Sequence, residues 1–430
     1  MLRITNLSGL FTGAGFEQKD GRHPKPDDCG FVGGPIEIVC SGAGTIERIV
    51  QAGGSPAVRA ADAANEVVDG TGLFATAGFI DAHTHALFAG RRGNEFFERW
   101  QGKTYREISD ADGGIHRTVR CTTDASDGEL CRALIERLTE MLAAGTTVAE
   151  VKSGYAATAA DELRLLRLIK QAGQSASLPR IIATFLGLHA VPSGRAEQDY
   201  VAEIVAALET VASERLATFV DSFPEQGFFS RSECERFTRA AHGRGLNSKV
   251  HAEEITSQGT TALFVRLGAT SVDHLEQIDD DAVATLAASN TTAVLLPATS
   301  LFLGIGYAPA RKLIDSGARV AVATDFNPGS APACDLQLAA LLAAAQMRMT
   351  AAEILCAITY NAATALRLET SHGSLSPGKS ADILLWNLGT DSSFPSDGTA
   401  LLEEIFVRRL RPRQIVLQGK PFEAVSRRRS

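Results

Sequence analysis

Five of the nine histidines in the chain stand where an apolar run gives way to polar residues: His83, His85, His189, His251 and His274. His83 and His85 close the run Gly78-Phe79-Ile80-Asp81-Ala82-His83-Thr84-His85. Strand side chains alternate faces, so residues two apart point to the same side. Neutral imidazoles are good ligands for Zn2+ or Fe2+, and two on one strand form a rigid half-site. His189 ends the run Phe185-Leu186-Gly187-Leu188-His189, and His251 opens His251-Ala252-Glu253-Glu254. His274 follows Val272-Asp273, and Thr324-Asp325 ends a later run. A lone histidine is more often a core or surface residue. Histidines and an aspartate converging on one face are hard to explain by packing, because burying them unpaired is costly. His23, His116, His242 and His372 fall in turns or on a helix and read as solvated.

The elements that would carry these residues follow from hydrophobic pattern. Apolar strand-like runs recur at 73–85, 146–152, 180–189, 216–223, 247–251, 270–274, 292–296 and 319–324. Helix-period segments separate them, as at 127–144, 159–171, 196–214 and 231–241. Near-continuous apolar strands alternating with helices predict a parallel sheet covered on its outer face. Eight such units predict an α/β fold, a (β/α)8 TIM barrel over 73–374, with its chemistry at the C-terminal ends of the strands. An open doubly wound sheet competes, but no G-x-G-x-x-G or Walker-type loop supports its usual nucleotide ligands. Short β-like pieces at 2–7, 35–39, 45–51 and 67–69 are matched by others at 382–386 and 414–417. Each end alone is too short for a good core. Together 1–72 and 375–430 are expected to form a composite β-sandwich domain.

The composition is that of an ordinary soluble globular chain: 430 residues, 45% apolar and 21% charged. That balance excludes a disordered chain. No stretch approaches the ~20 apolar residues that span a bilayer, and no secretory signal is expected from the first residues. The charge is −8, with no basic block beyond Arg427, Arg428 and Arg429, so nucleic acid is not an expected partner. Seven scattered cysteines contain no C-x-x-C pair, which predicts free thiols in a cytoplasmic protein.

The constellation resembles the amidohydrolase superfamily, and the resemblance covers nearly the whole chain. It implies that His83, His85, His251 and Asp325 ligate one divalent metal ion, zinc or iron, and that His274 handles protons beside it. Lys152 invites comparison with superfamily members that carboxylate a lysine to bridge two metals. The H-x-x-E spacing from His251 to Glu254 fits the mononuclear branch better, so Lys152 reads as structural. Further segments resemble the imidazolonepropionase family: Arg92-Gly93-Asn94-Glu95-Phe96, Gln101-Gly102-Lys103-Thr104-Tyr105, Glu150 to Tyr155, Phe185 to Pro192, and Thr324 to Ser330. Ala156 departs from a usual Gly, and Ser330 from a common Thr.

That resemblance implies hydrolysis of the cyclic amide C–N bond of 4-imidazolone-5-propanoate to N-formimidoyl-L-glutamate, in histidine degradation, by a homodimer. Such a reaction needs an activated water, a polarised carbonyl and a proton for the leaving nitrogen. A bound metal lowers the pKa of its water from 15.7 to ~7. Glu254 is placed to move the proton, with Asp325 able to share the task, and His274 to donate to the oxyanion. Arg92 fits the substrate carboxylate, whereas Arg91 reads as solvent-facing. Tyr155, His189, Asn327, Gly329 and Ser330 would complete the substrate contacts. Glu253, the neighbour of Glu254, is read as not being the proton shuttle. Two other readings stay open: another mononuclear amidohydrolase, such as a ring deaminase, and a non-catalytic barrel scaffold.

Overall fold

The computed structural model describes residues 1–51, 66–103, 107–108, 113–388 and 398–422. Thr104, Tyr105 and the Arg427, Arg428, Arg429 tail lie outside the described residues. In chain order the first five strands are β1 (Leu2–Phe11), β2 (Phe31–Cys40), β3 (Ile46–Gln51), β4 (Glu66–Asp69) and β5 (Leu73–Ala77). Then come β6 (Phe79–Asp81), β7 (Thr146–Lys152), β8 (Arg180–Leu188), β9 (Phe219–Ser222), β10 (Asn247–Ser248), β11 (His251–Ala252), β12 (Ser271–His274), β13 (Thr292–Leu295) and β14 (Arg319–Val322). The C-terminal strands are β15 (Ile383–Asn387), β16 (Gln414–Leu417) and β17 (Lys420–Phe422).

Strands from both ends of the chain build one eight-stranded sheet, in the order β17-β16-β15-β5-β1-β2-β3 with β4 also on β1. Its inner face buries Leu2, Ile4, Leu7, Ile36, Ile38, Ile383, Leu385 and Val416 as a separate core. The run 73–85 is therefore not one strand. Its first part, β5, pairs with β1 and β15, and the chain crosses at Gly78 to enter the other sheet as β6. A Cβ at Gly78 would sit 2.1 Å from the Thr147 hydroxyl, so the crossing requires glycine.

The remaining strands are all parallel, as the apolar runs predict. They form two arcs, β6-β7-β8-β9-β10 and β11-β12-β13-β14. Lys249 and Val250 join the arcs: Lys249 N donates to Val220 O, and Asp273 N donates to Val250 O. On the opposite side Asp325 N donates to His83 O and His85 N to Phe326 O, linking the first strand unit to the last. Asp81 reinforces that seam by accepting from Thr324 N at 3.1 Å and Thr324 Oγ1 at 2.6 Å. The fold is thus an α/β TIM-barrel architecture with a terminal sheet. Small and branched side chains fill its interior, among them Ile80, Val148, Ile182, Val294, Ala321 and Ala323. Helices pack their apolar stripes outside, and side-chain caps at Ser126, Thr158 and Ser230 fix where three of them begin. His372 departs from the solvated reading: it is buried, with Nδ1 2.8 Å from Ser371 Oγ.

Candidate metal centre and active-site cavity

The segment just after β6 carries His83 and His85, β11 carries His251, and the turn after β14 carries Asp325. His85 Nε2 lies 3.3 Å from His83 Nε2 and 3.4 Å from His251 Nε2. Asp325 Oδ1 lies 3.4 Å from His83 Nε2 and 3.3 Å from His85 Nε2. Metal–nitrogen bonds of about 2.0–2.1 Å in a tetrahedron place the ligands about 3.3–3.4 Å apart. Four of the six separations among these atoms have that spacing. The donor set suits one divalent metal ion.

Buried neighbours fix each ligand's orientation. His83 Nδ1 bonds Asp273 Oδ2 at 2.6 Å and His251 Nδ1 bonds Asp221 Oδ1 at 3.2 Å, which turns both Nε2 atoms toward the cluster. Thr299 Oγ1 donates to Asp325 Oδ2 at 2.6 Å, leaving Oδ1 toward the imidazoles. Asp325 has φ 52, a strained backbone that turns its side chain across the mouth. Burial pushes the His251 pKa down to about 3 and that of His85 below its ordinary value, so both rings are neutral. Burial alone would raise Asp325, but His83 and His85 hold its carboxyl well below the usual range.

Lys152 lies fully buried beneath this cluster, 2.7 Å from Asp221 Oδ2 and 2.8 Å from Glu150 Oε2. Burial disfavours its charge, yet Asp221, Glu150 and Asp273 raise its pKa above the ordinary value. Carboxylation requires the neutral amine, so this lysine is held in the wrong form for bridging metals. Lys249 completes the layer, 3.1 Å from Glu150 Oε2 and 3.4 Å from Asp273 Oδ2.

Above the cluster opens a cavity of about 550 Å³, lined by His85, Arg92, Tyr155, His189, His251, Glu254, His274, Asp325, Asn327, Gly329 and Ser330 among others. That volume suits a small molecule. Glu254 Oε2 and Glu276 Oε2 flank His274, 3.7 Å from Nε2 and 3.6 Å from Nδ1. Burial pushes the Glu254 pKa up to about 7, against the pull of His274. His274 is raised to about 10: burial opposes its charge, but Glu254, Glu276 and Asp325 overcome that. His189 stacks on His85 at 4.9 Å between centroids and bonds Gly154 O through Nδ1 at 3.1 Å.

Arg92 is buried and Arg91 exposed. The Arg92 guanidinium is held by Glu95, with Nη2 2.8 Å from Oε2, and it occupies the space a Cβ at Gly329 would need, 2.3 Å from Nη1. Asn327 lines the cavity while its amide is spent on its own loop. Its Oδ1 accepts from Gly329 N and Ser330 N at 2.8 Å, and its Nδ2 donates to Ser330 Oγ at 2.8 Å.

Residues 74–420 match the amidohydrolase family. An imidazolonepropionase of Bdellovibrio bacteriovorus is 39% identical over 412 residues, covering 94% of this chain and 95% of its own. One of Rubrobacter xylanophilus is 46% identical over 323 residues, 74% of this chain and 77% of its own. The chain belongs to the imidazolonepropionase family of amidohydrolases. As a family member it is a hydrolase acting on C–N bonds. Zinc-complexed atrazine chlorohydrolase from Arthrobacter aurescens superposes with a TM-score of 0.70 at 18% identity, over 98% of this chain and 95% of its own. A zinc-bound adenosine deaminase from Xanthomonas campestris gives the same score at 17% identity, over 98% and 92%. Both likenesses are of fold.

Sequence reasoning passed over Asp221, Lys249, Glu225 and Glu276, and assigned no role to Glu150 or Asp273. Asp273 and Asp221 carried the available signal, since each is a carboxylate directly after a valine near the end of a strand-like run. Arg99 and Lys103 also line the cavity. Glu253, the neighbour of Glu254, is buried and accepts from Thr260 N at 2.7 Å.

Proposed function

We propose that this chain opens the ring of 4-imidazolone-5-propanoate with water, giving N-formimidoyl-L-glutamate in histidine degradation. The observation that carries the substrate is 39% identity over 94% of the chain to a protein named imidazolonepropionase. His83, His85, His251 and Asp325 would hold one divalent ion, zinc or iron, since imidazole and carboxylate suit both. When bound, that ion supplies a water acidified from 15.7 to about 7 and a polarised carbonyl.

The chain's own groups supply the rest. Glu254, with its carboxyl near neutrality, takes the proton of the attacking water at the carbonyl carbon. As the C–N bond breaks, the same carboxyl returns the proton to the ring nitrogen, so one water is consumed and atoms balance. His274, as an imidazolium, donates to the oxygen that gains charge. Asp325 can share the proton with Glu254. Arg92 pairs with the propanoate, and Tyr155, His189, Asn327, Gly329 and Ser330 enclose the ring and tail.

The reading includes a homodimer in the cytoplasm, where the seven unpaired cysteines stay reduced. Among the described residues no helix is long and apolar enough to cross a membrane. A substrate panel tests the specificity. Imidazolone propanoate should turn over without ammonia release, whereas preferential deamination of a purine or creatinine-like ring would replace the proposal with a deaminase.

A further inference from the structure

Glu253 and Glu254 are adjacent carboxylates that do different things, and the backbone explains how. Glu253 has φ 49, a conformation that side-chained residues rarely hold unless their surroundings impose it. Its carboxylate faces away from the cavity and accepts from Thr260 N at 2.7 Å, from Thr261 N at 3.1 Å and from the Thr261 hydroxyl. Its carbonyl accepts from Gln277 N at 2.8 Å. The residue before Glu254 is thereby pinned to the helix Thr260–Leu267 and to the segment after β12.

The residues after Glu254 are pinned by a second buried carboxylate. Glu225 lies on the loop following β9 and is 4% exposed. It accepts from Ile255 N and Thr256 N at 3.1 Å each, from Gln258 Nε2 at 2.9 Å, from Gln226 N at 2.8 Å and from the Thr256 hydroxyl. A buried carboxylate that satisfies loop amides is usually only a support. Here the two sets of bonds close on the residues immediately flanking Glu254, the carboxylate that faces His274 Nε2.

We propose that Glu225 is a positioning residue for Glu254, acting with Glu253 to hold that side chain over the cavity. The inference rests on the reading of Glu254 as the proton shuttle. Glu225→Gln keeps the size of the side chain but replaces one acceptor oxygen with an NH2 that faces donors. Misplacing a reacting group by about 1 Å can cost about 100-fold. Glu225→Gln should therefore lower kcat by about 10- to 100-fold while KM and bound metal stay near wild type. Thr256→Val, which removes the hydroxyl's donation to Glu225 and its acceptance from Gln258 Nε2, should give a smaller loss in the same direction, and it serves if Glu225→Gln does not fold.

The decisive arm is the double variant. Residues that act through one another are non-additive, so Glu225→Gln should cost nothing further in a Glu254→Gln background. An unchanged kcat, an equal loss in both backgrounds, or a loss that tracks metal content would each overturn the positioning role. Wild-type kcat in Glu254→Gln alone would instead overturn the shuttle, and the positioning claim with it.

Discussion

Glu254 bears most of the proposed chemistry, and its environment makes the role testable. General acid–base assistance is typically worth 10²–10⁴ in rate, so Glu254→Gln should lower kcat by about that factor with metal content unchanged. The pH dependence has a definite sign. Glu254 must be ionised to accept a proton, so activity rises with pH through its pKa, near 7. His274 must be protonated to donate, so activity falls above its own, near 10. A cation in the cage favours the carboxylate and disfavours the imidazolium, moving both limbs to lower pH. Glu254→Gln should abolish the acid limb, and a profile unchanged by that substitution would assign the limb elsewhere. Arg92 makes a separate prediction. A charge-assisted pair with the propanoate is worth roughly 1.5–3 kcal/mol, so Arg92→Ala should raise KM about tenfold or more. Arg91→Ala, at an exposed position, should leave KM alone. Equal effects from the two would place the carboxylate elsewhere in the cavity.

Among the elements, the parallel strands and their helices were legible because period and length are local properties. The run 146–152 coincides with β7, and the helix read at 159–171 is observed as Ala159–Ala172. The break at Gly78 was not legible, because the requirement for glycine comes from Thr147 on a neighbouring strand. The clustered histidines were readable from the strand ends near which they lie. Their buried partners were not, since Asp221, Asp273, Glu150 and the two lysines acquire meaning only when five strands close on one another. Lys152 exposes that difference. Removing one partner from a buried charge cluster typically costs about 3–5 kcal/mol, so Lys152→Met should destabilise the chain by about that amount in denaturant unfolding. Binding of a single metal equivalent by any folded fraction would accord with the structural role. Wild-type stability with a halved metal content would mean that Lys152 bridges two ions.

At the scale of the whole molecule, the terminal sheet and the barrel divide the work. The sheet has its own apolar core and, among the described residues, contributes none to the cavity lining. The barrel gathers residues far apart in the chain, from His83 to Asp325, around one small volume. The central claim is that this volume holds one ion and opens one ring. Metal-depleted protein titrated with Zn2+ or Fe2+ should regain turnover of 4-imidazolone-5-propanoate, followed by loss of its ultraviolet absorbance, in a line that breaks at one equivalent per chain. The product should be N-formimidoyl-L-glutamate. Turnover without metal, a break at two equivalents, or no ring opening at any metal content would contradict the account.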